Sequence, residues 1–236
     1  MLLELNQLIV RAGHQLLIKD ISWSAYKRIL AELGDNRSSR IGYSQGVLEI
    51  MAPLPEHEVA KVIIGDLVKV LLEELELEFW SLGSTTFDKE SMDAGVEPDD
   101  CFYIQNEARI RGKDRINLET DPPPDLAIEI DITSRTRFNN YQALRVPELW
   151  RWNGSKLEIN LLFDGKYVES NTSSIFPNLP IYQVIPEYLM LSKTNGRNAT
   201  MKAFRAWARQ QIGGEHLSFA KTSRSKLTIE VSRSEV

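Results

Sequence analysis

Cysteine is nearly missing from this chain, since Cys101 is the single cysteine among 236 residues. One thiol cannot form an intrachain disulfide or a cysteine-rich zinc site, and it suits a reducing cytoplasm. The sequence also lacks an apolar run of about 18 residues, the length at which a transmembrane helix becomes a candidate. Its first residues lack the basic and apolar regions of a signal peptide. We therefore expect a cytoplasmic protein with no membrane partner.

An excess of positive charge is missing as well. The formal net charge is −5, so the whole molecule does not attract nucleic acid, and a nucleic-acid site would need a local basic patch. The polar stretch 105–120 carries Arg109, Arg111, Lys113 and Arg115. These side chains could contact a phosphate backbone, although a solvated loop is the simpler interpretation. No zinc finger or recognition helix is visible in the sequence.

The composition is that of an ordinary soluble globular protein, with 42% hydrophobic and 26% charged residues. Hydrophobic periodicity predicts helices over 22–33, 56–75, 185–189 and 199–212, a hairpin over 40–51, and strands over 99–104, 125–132, 149–152 and 157–163. This order favours an α/β fold with a central mixed sheet flanked by helices. We expect one domain over 1–195, followed over 196–236 by a C-terminal helix and a polar, mobile tail.

The segment from Asp125 to Ile132 is predicted to be an acidic strand. Side chains alternate between the two faces of a strand, so Asp125, Glu129 and Asp131 share one face, opposite an apolar one. Unpaired carboxylates on one face repel each other and are costly to bury. A divalent cation or a basic partner would offset that cost. The alternative is an edge strand with a solvated acidic face.

Two Pro-Asp corners open two of the predicted strands, at 98–99 and 124–125. If these strands are neighbours, Asp99 and Glu129 converge. Carboxylate oxygens are the ligands that Mg²⁺ and Mn²⁺ prefer. Such an ion can activate a water molecule and neutralise charge at a phosphodiester.

Four motifs occur in an order that resembles a known family. They are Gly46-Val-Leu-Glu49-Ile-Met followed by His57, then Glu97-Pro-Asp99, then Pro124-Asp-Leu-Ala-Ile-Glu129, and Tyr141 followed by Val146-Pro-Glu-Leu-Trp150. Over about residues 20–190 the chain resembles the Uma-two family of bacterial endonucleases, in the restriction-endonuclease-like PD-(D/E)XK superfamily. The resemblance implies a restriction-endonuclease-like core, a DNA substrate, and Mg²⁺ or Mn²⁺ as cofactor.

The resemblance assigns Asp99 and Glu129 as the metal-binding motif residues. The superfamily pattern has a lysine two residues after the glutamate, where this chain has Asp131. The family's basic residue instead falls on Arg137, which can stabilise a phosphate but is a poor general base because it stays protonated. Asp131 is then either a third metal ligand, a helix cap or an ion-pair partner of Arg137. Asp125 is interpreted as a turn residue.

The first turn of the long predicted helix carries two further candidates. His57 matches the family's histidine and is predicted to be a site residue. Glu58 is either an outer metal ligand or an acidic residue favoured by the helix dipole. Glu49 is a weaker candidate, with an ion pair in the hairpin as the alternative.

Two functions remain open from the sequence. The first is a metal-dependent endonuclease, and the second is a catalytically inactive module that binds nucleic acid or protein on the same fold. A homodimer formed through the apolar strands over 149–163 is a further expectation.

Overall fold

The computed structural model describes residues 8–34, 39–132 and 138–213. Its helices are α1 Trp23–Leu33, α2 Pro55–Glu74, α3 Glu107–Ile110, α4 Phe138–Leu144, α5 Ile181–Asn195 and α6 197–213, with a short 3₁₀ helix at Glu90–Met92. Its strands are β1 Gln15–Ile18, β2 Arg40–Ser44, β3 Val47–Met51, β4 Trp80–Ser81, β5 Phe87–Lys89, β6 Ala94–Val96, β7 Asp100–Tyr103, β8 Leu126–Ile130, β9 Glu148–Trp152, β10 Leu157–Phe163 and β11 Lys166–Ser170.

The strands of the described residues form two sheets. The small sheet has five antiparallel strands in the order β1-β3-β2-β6-β5. The large sheet has six strands in the order β11-β10-β9-β8-β7-β4, and it is mixed because β8 and β9 run parallel while its other pairs are antiparallel. The predicted mixed sheet flanked by helices is confirmed.

Helix α2 lies against the large sheet and organises the main core. It begins at Pro55, a residue suited to the first helical turn because it has no N–H to satisfy. Its buried side contacts β8, and α5 packs on both α2 and β10. Helix α6 adds Phe204 and Ala208 to the same core. The predicted boundary at residue 195 stays a prediction, and the predicted tail over 215–236 lies outside the described residues.

The hairpin β2–β3 forms where the sequence predicts it. Gln45 and Gly46 both have positive φ, 46° and 79°, as a two-residue type I′ turn requires. Glycine adopts this conformation without the steric cost of a Cβ atom. The turn therefore sets the register that places Arg40 opposite Met51 at the open end.

Helix α5 starts earlier than the sequence suggests. The predicted helix over 185–189 lies inside α5, which begins at Ile181 and carries Pro186 within it. The buried residues Ile181, Val184, Ile185 and Leu189 lie on one face. Burial of this face outweighs the hydrogen bond that proline cannot make.

The predicted dimer surface needs a correction at β9. The crossover through α4 places β9 between β8 and β10, and all five of its residues are buried. Strand β9 therefore offers no surface to a partner, and the edge of the large sheet on that side is β11. None of the described helices has the length and apolarity that a membrane crossing requires.

Candidate active site

A small cavity of about 50 Å³ lies between the two sheets and is lined by residues of both. The sequence left open whether the strands after the two Pro-Asp corners are neighbours, and the structure shows that they are, since β7 and β8 pair with Asp100 opposite Ile128. The polar residues that line the cavity are Arg40, Glu49, Glu97, Glu129, Asp131, Asn140 and Tyr141. Four carboxylates from different strands and loops therefore face one small space.

Glu129 lies in the middle of β8 and is buried. The hydroxyl of Tyr141, on α4, donates a hydrogen bond to its Oε1. Burial and then the neighbouring charge of Asp131 raise the pKa of Glu129 to about 8, against lowering effects of Tyr141 and Arg40. Without a further cation, this carboxyl is mostly protonated at neutral pH.

Asp99 is 1% exposed and is held at both carboxylate oxygens. The N–H of Ile130 donates to Oδ2 over 2.6 Å, which ties the start of β7 to β8. Oδ1 forms an ion pair with Nη1 of Arg40. Within the described residues, Asp99 does not line the cavity itself. Its carboxylate is connected to the cavity by the ion pair with Arg40, which does line it.

Arg40 is a residue of the site that the sequence analysis missed. Its guanidinium joins Asp99 to Glu58, with 3.0 Å between Nη2 and Glu58 Oε1. A buried guanidinium must be paired, because an unpaired buried charge is costly. In the sequence, Arg40 stands out only as a positive charge at the start of an apolar hairpin. That pattern does not indicate that its partners are Asp99 and Glu58.

Asp131 forms an ion pair with Arg151, whose Nε lies 2.6 Å from Oδ2. Arg151 stands opposite Glu129 in the parallel register of β8 and β9. It also contacts Glu158 over 3.3 Å and lies 4.8 Å from the centre of the Phe138 ring. The position of the superfamily's lysine is thus occupied by an acid that an arginine from the next strand neutralises. Arg137 lies outside the described residues.

His57 and Glu58 stand in the first turn of α2, as predicted. His57 is fully buried, and burial followed by the charge of Arg40 lowers its pKa, so the imidazole is neutral at neutral pH. Burial acts to raise the pKa of Glu58, but Lys61 and Arg40 outweigh it and hold this pKa below its ordinary value. Glu58 is therefore ionised and lies between two cations.

Glu97 joins the small sheet to the site. Its Oε2 accepts the N–H of Ile41 over 3.0 Å, and its Oε1 accepts the hydroxyl of Thr86 over 2.5 Å. Two hydrogen bonds therefore hold this carboxylate at the cavity wall.

Asp125 has a structural role in the loop after β7. It accepts hydrogen bonds from the backbone N–H groups of Ile104 and Asn106, at 2.7 and 3.1 Å, and from the Asn106 side chain at 2.9 Å. These contacts agree with its interpretation as a turn residue. Side chains at i and i+4 of a strand share a face, yet Asp125 bonds to this loop and does not line the cavity.

A wide cleft of about 990 Å³ opens beside the small cavity. Arg40 and Glu97 line both spaces. The other charged residues around the cleft are Lys27, Lys61, Lys113, Arg115, Glu58, Asp88 and Asp114. The predicted basic stretch is therefore divided, because Lys113 and Arg115 face the cleft while Arg111 forms a bidentate ion pair with Glu107.

The chemistry of the cavity fits a divalent cation in part. Carboxylate oxygens are the ligands that Mg²⁺ and Mn²⁺ prefer, and four carboxylates line this cavity. Within the described ranges, however, no group of three or more His, Cys, Asp and Glu side chains already has the arrangement of a metal site. Asp99 can join such a site only if Arg40 leaves it.

The two sheets, their flanking helices and the acidic cavity define a mixed α/β protein with a candidate hydrolytic site. The chain belongs to the Uma2 family, described as "Putative restriction endonuclease", whose model matches residues 23–192. The family resemblance seen in the sequence is confirmed. A similar solved structure is that of "a putative nuclease belonging to DUF820 from Anabaena variabilis ATCC 29413", with a TM-score of 0.43 and 14% identity, covering 63% of this chain and 90% of that one. No curated protein matches the chain.

Proposed function

We propose that the chain is a divalent-metal-dependent endonuclease that hydrolyses phosphodiester bonds in DNA. The observation that carries this proposal is Glu129, a buried carboxyl with a pKa of about 8 in a cavity that three further carboxylates line. Such a group is costly to keep, and perturbed pKa values cluster at functional sites. Membership of a restriction endonuclease family supports the same reaction class.

Glu129 and Asp99 are the proposed ligands of Mg²⁺ or Mn²⁺, and Asp131 and Glu58 are the proposed outer ligands. When bound, the ion would lower the pKa of a water molecule and neutralise charge on the phosphate. Glu58 and Asp131 already hold arginine partners, so their contribution would be to balance charge around the ligands.

The protein's own residues would prepare the site for this chemistry. The Tyr141 hydroxyl holds Oε1 of Glu129, and the Ile130 N–H holds Oδ2 of Asp99. His57 remains a proposed site residue on the resemblance to the family; it is fully buried and lines neither the cavity nor the cleft. Arg137 is the proposed phosphate-stabilising residue, because it matches the position of the family's basic residue.

The wide cleft is the proposed path of the nucleic acid. Lys27, Lys113 and Arg115 line it, and each is a cation that can meet a phosphate. Lys27 now contacts Asp88 at 2.6 Å and is half exposed, so a phosphate could replace that carboxylate. The cleft leads to Arg40 and Glu97, which brings a bound backbone to the wall of the acidic cavity.

The test is cleavage of supercoiled plasmid and of single-stranded DNA with Mg²⁺ or Mn²⁺. We expect Asp99→Asn and Glu129→Gln to lower the rate by about a hundredfold or more, since even outer-shell partners of a metal contribute about 10- to 100-fold. Asp100→Asn is the matched control, because Asp100 is equally buried but bonds to Cys101 and Ser81. A wild-type rate in both site variants would refute the assignment of these residues.

A catalytically inactive binding module is the second candidate. The observation that favours it is a pair of ion pairs, one between Arg40 and Asp99 and one between Arg151 and Asp131. These ion pairs neutralise two acids of the site. This function predicts affinity for an oligonucleotide and no cleavage with any divalent ion. A homodimer stays a prediction, which light scattering would test.

A further inference from the structure

Arg40 stands where the small cavity meets the wide cleft. Apart from Glu97, it is the one described residue that lines both spaces. Its side chain is 11% exposed, between an Asp99 side chain that is 1% exposed and a Glu58 side chain that is 44% exposed. The guanidinium thus bridges the buried carboxylate of Asp99, which lines neither space, and the half-exposed carboxylate of Glu58, which lines the cleft.

The ion pair with Asp99 competes with any cation that Asp99 could hold. Oδ2 accepts the Ile130 N–H and Oδ1 forms the ion pair with Arg40, so both oxygens already have a partner and a second cation at Asp99 would be repelled by the guanidinium. Removing a guanidinium from a buried carboxylate is unfavourable unless both charges receive new partners. A cation would supply the new partner for Asp99.

A phosphate in the cleft would supply the new partner for Arg40. The planar guanidinium donates two parallel hydrogen bonds to phosphate oxygens, and such bidentate pairs are among the strongest hydrogen bonds in proteins. Arg40 already reaches the cleft side through its Nη2 contact with Glu58. The side chain therefore needs a rotation rather than a movement of β2 to meet a phosphate there.

We propose that Arg40 is a two-position residue that couples substrate binding to cation binding. Without a phosphate in the cleft, Arg40 neutralises Asp99. When a nucleic-acid phosphate enters the cleft, Arg40 binds that phosphate and frees Oδ1 of Asp99 for the divalent ion. This inference rests on the proposed nuclease function and adds a residue that binds the substrate and controls the order of loading.

Thermodynamic linkage makes the proposal measurable. If a phosphate draws Arg40 away from Asp99, it strengthens cation binding, and the cation must strengthen nucleic-acid binding by the same factor. Couplings of this kind amount to about 5- to 150-fold. Two ligands that bind independently would show no such factor.

The first experiment measures Mn²⁺ binding to the wild-type chain by electron paramagnetic resonance. The titration is repeated with a single-stranded phosphorothioate oligonucleotide, which keeps its charges and resists cleavage, and with the uncharged methylphosphonate oligonucleotide of the same sequence. We expect the Mn²⁺ affinity to rise about tenfold with the phosphorothioate strand and to stay unchanged with the methylphosphonate strand. Equal Mn²⁺ affinities in all three titrations would overturn the proposal.

The second experiment repeats the titrations with Arg40→Gln. We expect tighter Mn²⁺ binding than in the wild type, weaker binding of the phosphorothioate strand, and loss of the coupling. Arg205→Gln is the matched control, because Arg205 also bridges two carboxylates, Glu73 and Glu74, on the far part of α2. If Arg40→Gln does not fold, the wild-type titrations alone test whether phosphate binding and Mn²⁺ binding are coupled.

The outcomes separate this inference from the proposed function. If Arg40→Gln binds Mn²⁺ no more tightly than the wild type while Glu129→Gln abolishes cleavage, Arg40 has no coupling role and the nuclease assignment stands. If the wild type neither binds Mn²⁺ nor cleaves DNA, both proposals are wrong.

Discussion

The hydroxyl of Tyr141 donates a hydrogen bond to Oε1 of Glu129, and both residues line the acidic cavity. Tyr141 lies on α4 and Glu129 on β8, so this bond connects the helix that follows the acidic strand to the centre of that strand. Burial and the Glu129 charge raise the pKa of Tyr141 as well. The phenol therefore stays a donor over the whole physiological pH range.

Tyr141→Phe should raise the pKa of Glu129 further, because the hydrogen bond from Tyr141 lowers that pKa. We expect the unfolding free energy to fall by about 1 kcal/mol, the typical net contribution of a hydrogen bond. If Glu129 binds the catalytic ion, the cleavage rate should fall by about tenfold. Infrared titration of the carboxyl band would measure the pKa, with Tyr167→Phe as a control at a partly buried tyrosine whose hydroxyl donates to the Val146 carbonyl instead. A lower Glu129 pKa in Tyr141→Phe would contradict this prediction.

The stability of the metal-free chain should depend on the pH through Glu129. The ordinary pKa of 4.5 is raised to about 8 in the folded protein, so the folded state holds the proton more tightly than the unfolded state. The stability contributed by this proton is complete below pH 4.5 and is lost as the pH rises through about 8. Urea unfolding at a series of pH values would follow the loss. Glu129→Gln, which resembles the protonated acid, should flatten this part of the profile, and an unchanged slope would refute the assignment to Glu129.

Gly95→Ala should destabilise the small sheet. A Cβ atom at position 95 would lie 2.3 Å from the Tyr26 hydroxyl oxygen and 2.9 Å from its ring, which is far inside van der Waals contact. Overpacking of this kind costs about 1–3 kcal/mol, and thermal unfolding would measure it. Gly42→Ala is the control on the neighbouring strand β2, because the nearest atom there lies 3.5 Å away. Equal melting temperatures for the two variants would show that Tyr26 moves aside freely.

Asp125→Ala should destabilise the fold and leave cation binding unchanged. The carboxylate accepts three hydrogen bonds from Ile104 and Asn106, and bonds to a charged group contribute about 1.5–3 kcal/mol each, not additively. We expect a loss of about 3 kcal/mol in urea unfolding. The Mn²⁺ affinity of the folded variant should equal that of the wild type. A large loss of Mn²⁺ affinity with full stability would make Asp125 a ligand rather than a loop residue.

Near the site, the local sequence pattern was sufficient to predict the secondary structure. The alternation over 125–132 predicted that Asp131 shares a face with Glu129, and both line the cavity, although Asp125 does not. The Gln45-Gly46 pair predicted the turn of the hairpin. Helix α2 was predicted within a residue or two of its ends, because its apolar positions recur at the helical period. The residues that determine each of these features are close in sequence and lie within the segment itself.

The partners of the charged side chains were decided only by the tertiary structure. The predicted partner of Asp131, Arg137, lies outside the described residues. Nothing in the sequence pointed to Arg151, which pairs with Asp131 because β9 brings it beside β8. Asp99 was predicted to face a cation, and it meets Arg40 from the other sheet. A long charged side chain can reach many partners, and the choice among them depends on which strands are neighbours and how two sheets pack. The sequence by itself thus determined the elements, the family and the acidic character of the site, while the packing of the two sheets decided which cation neutralises each acid.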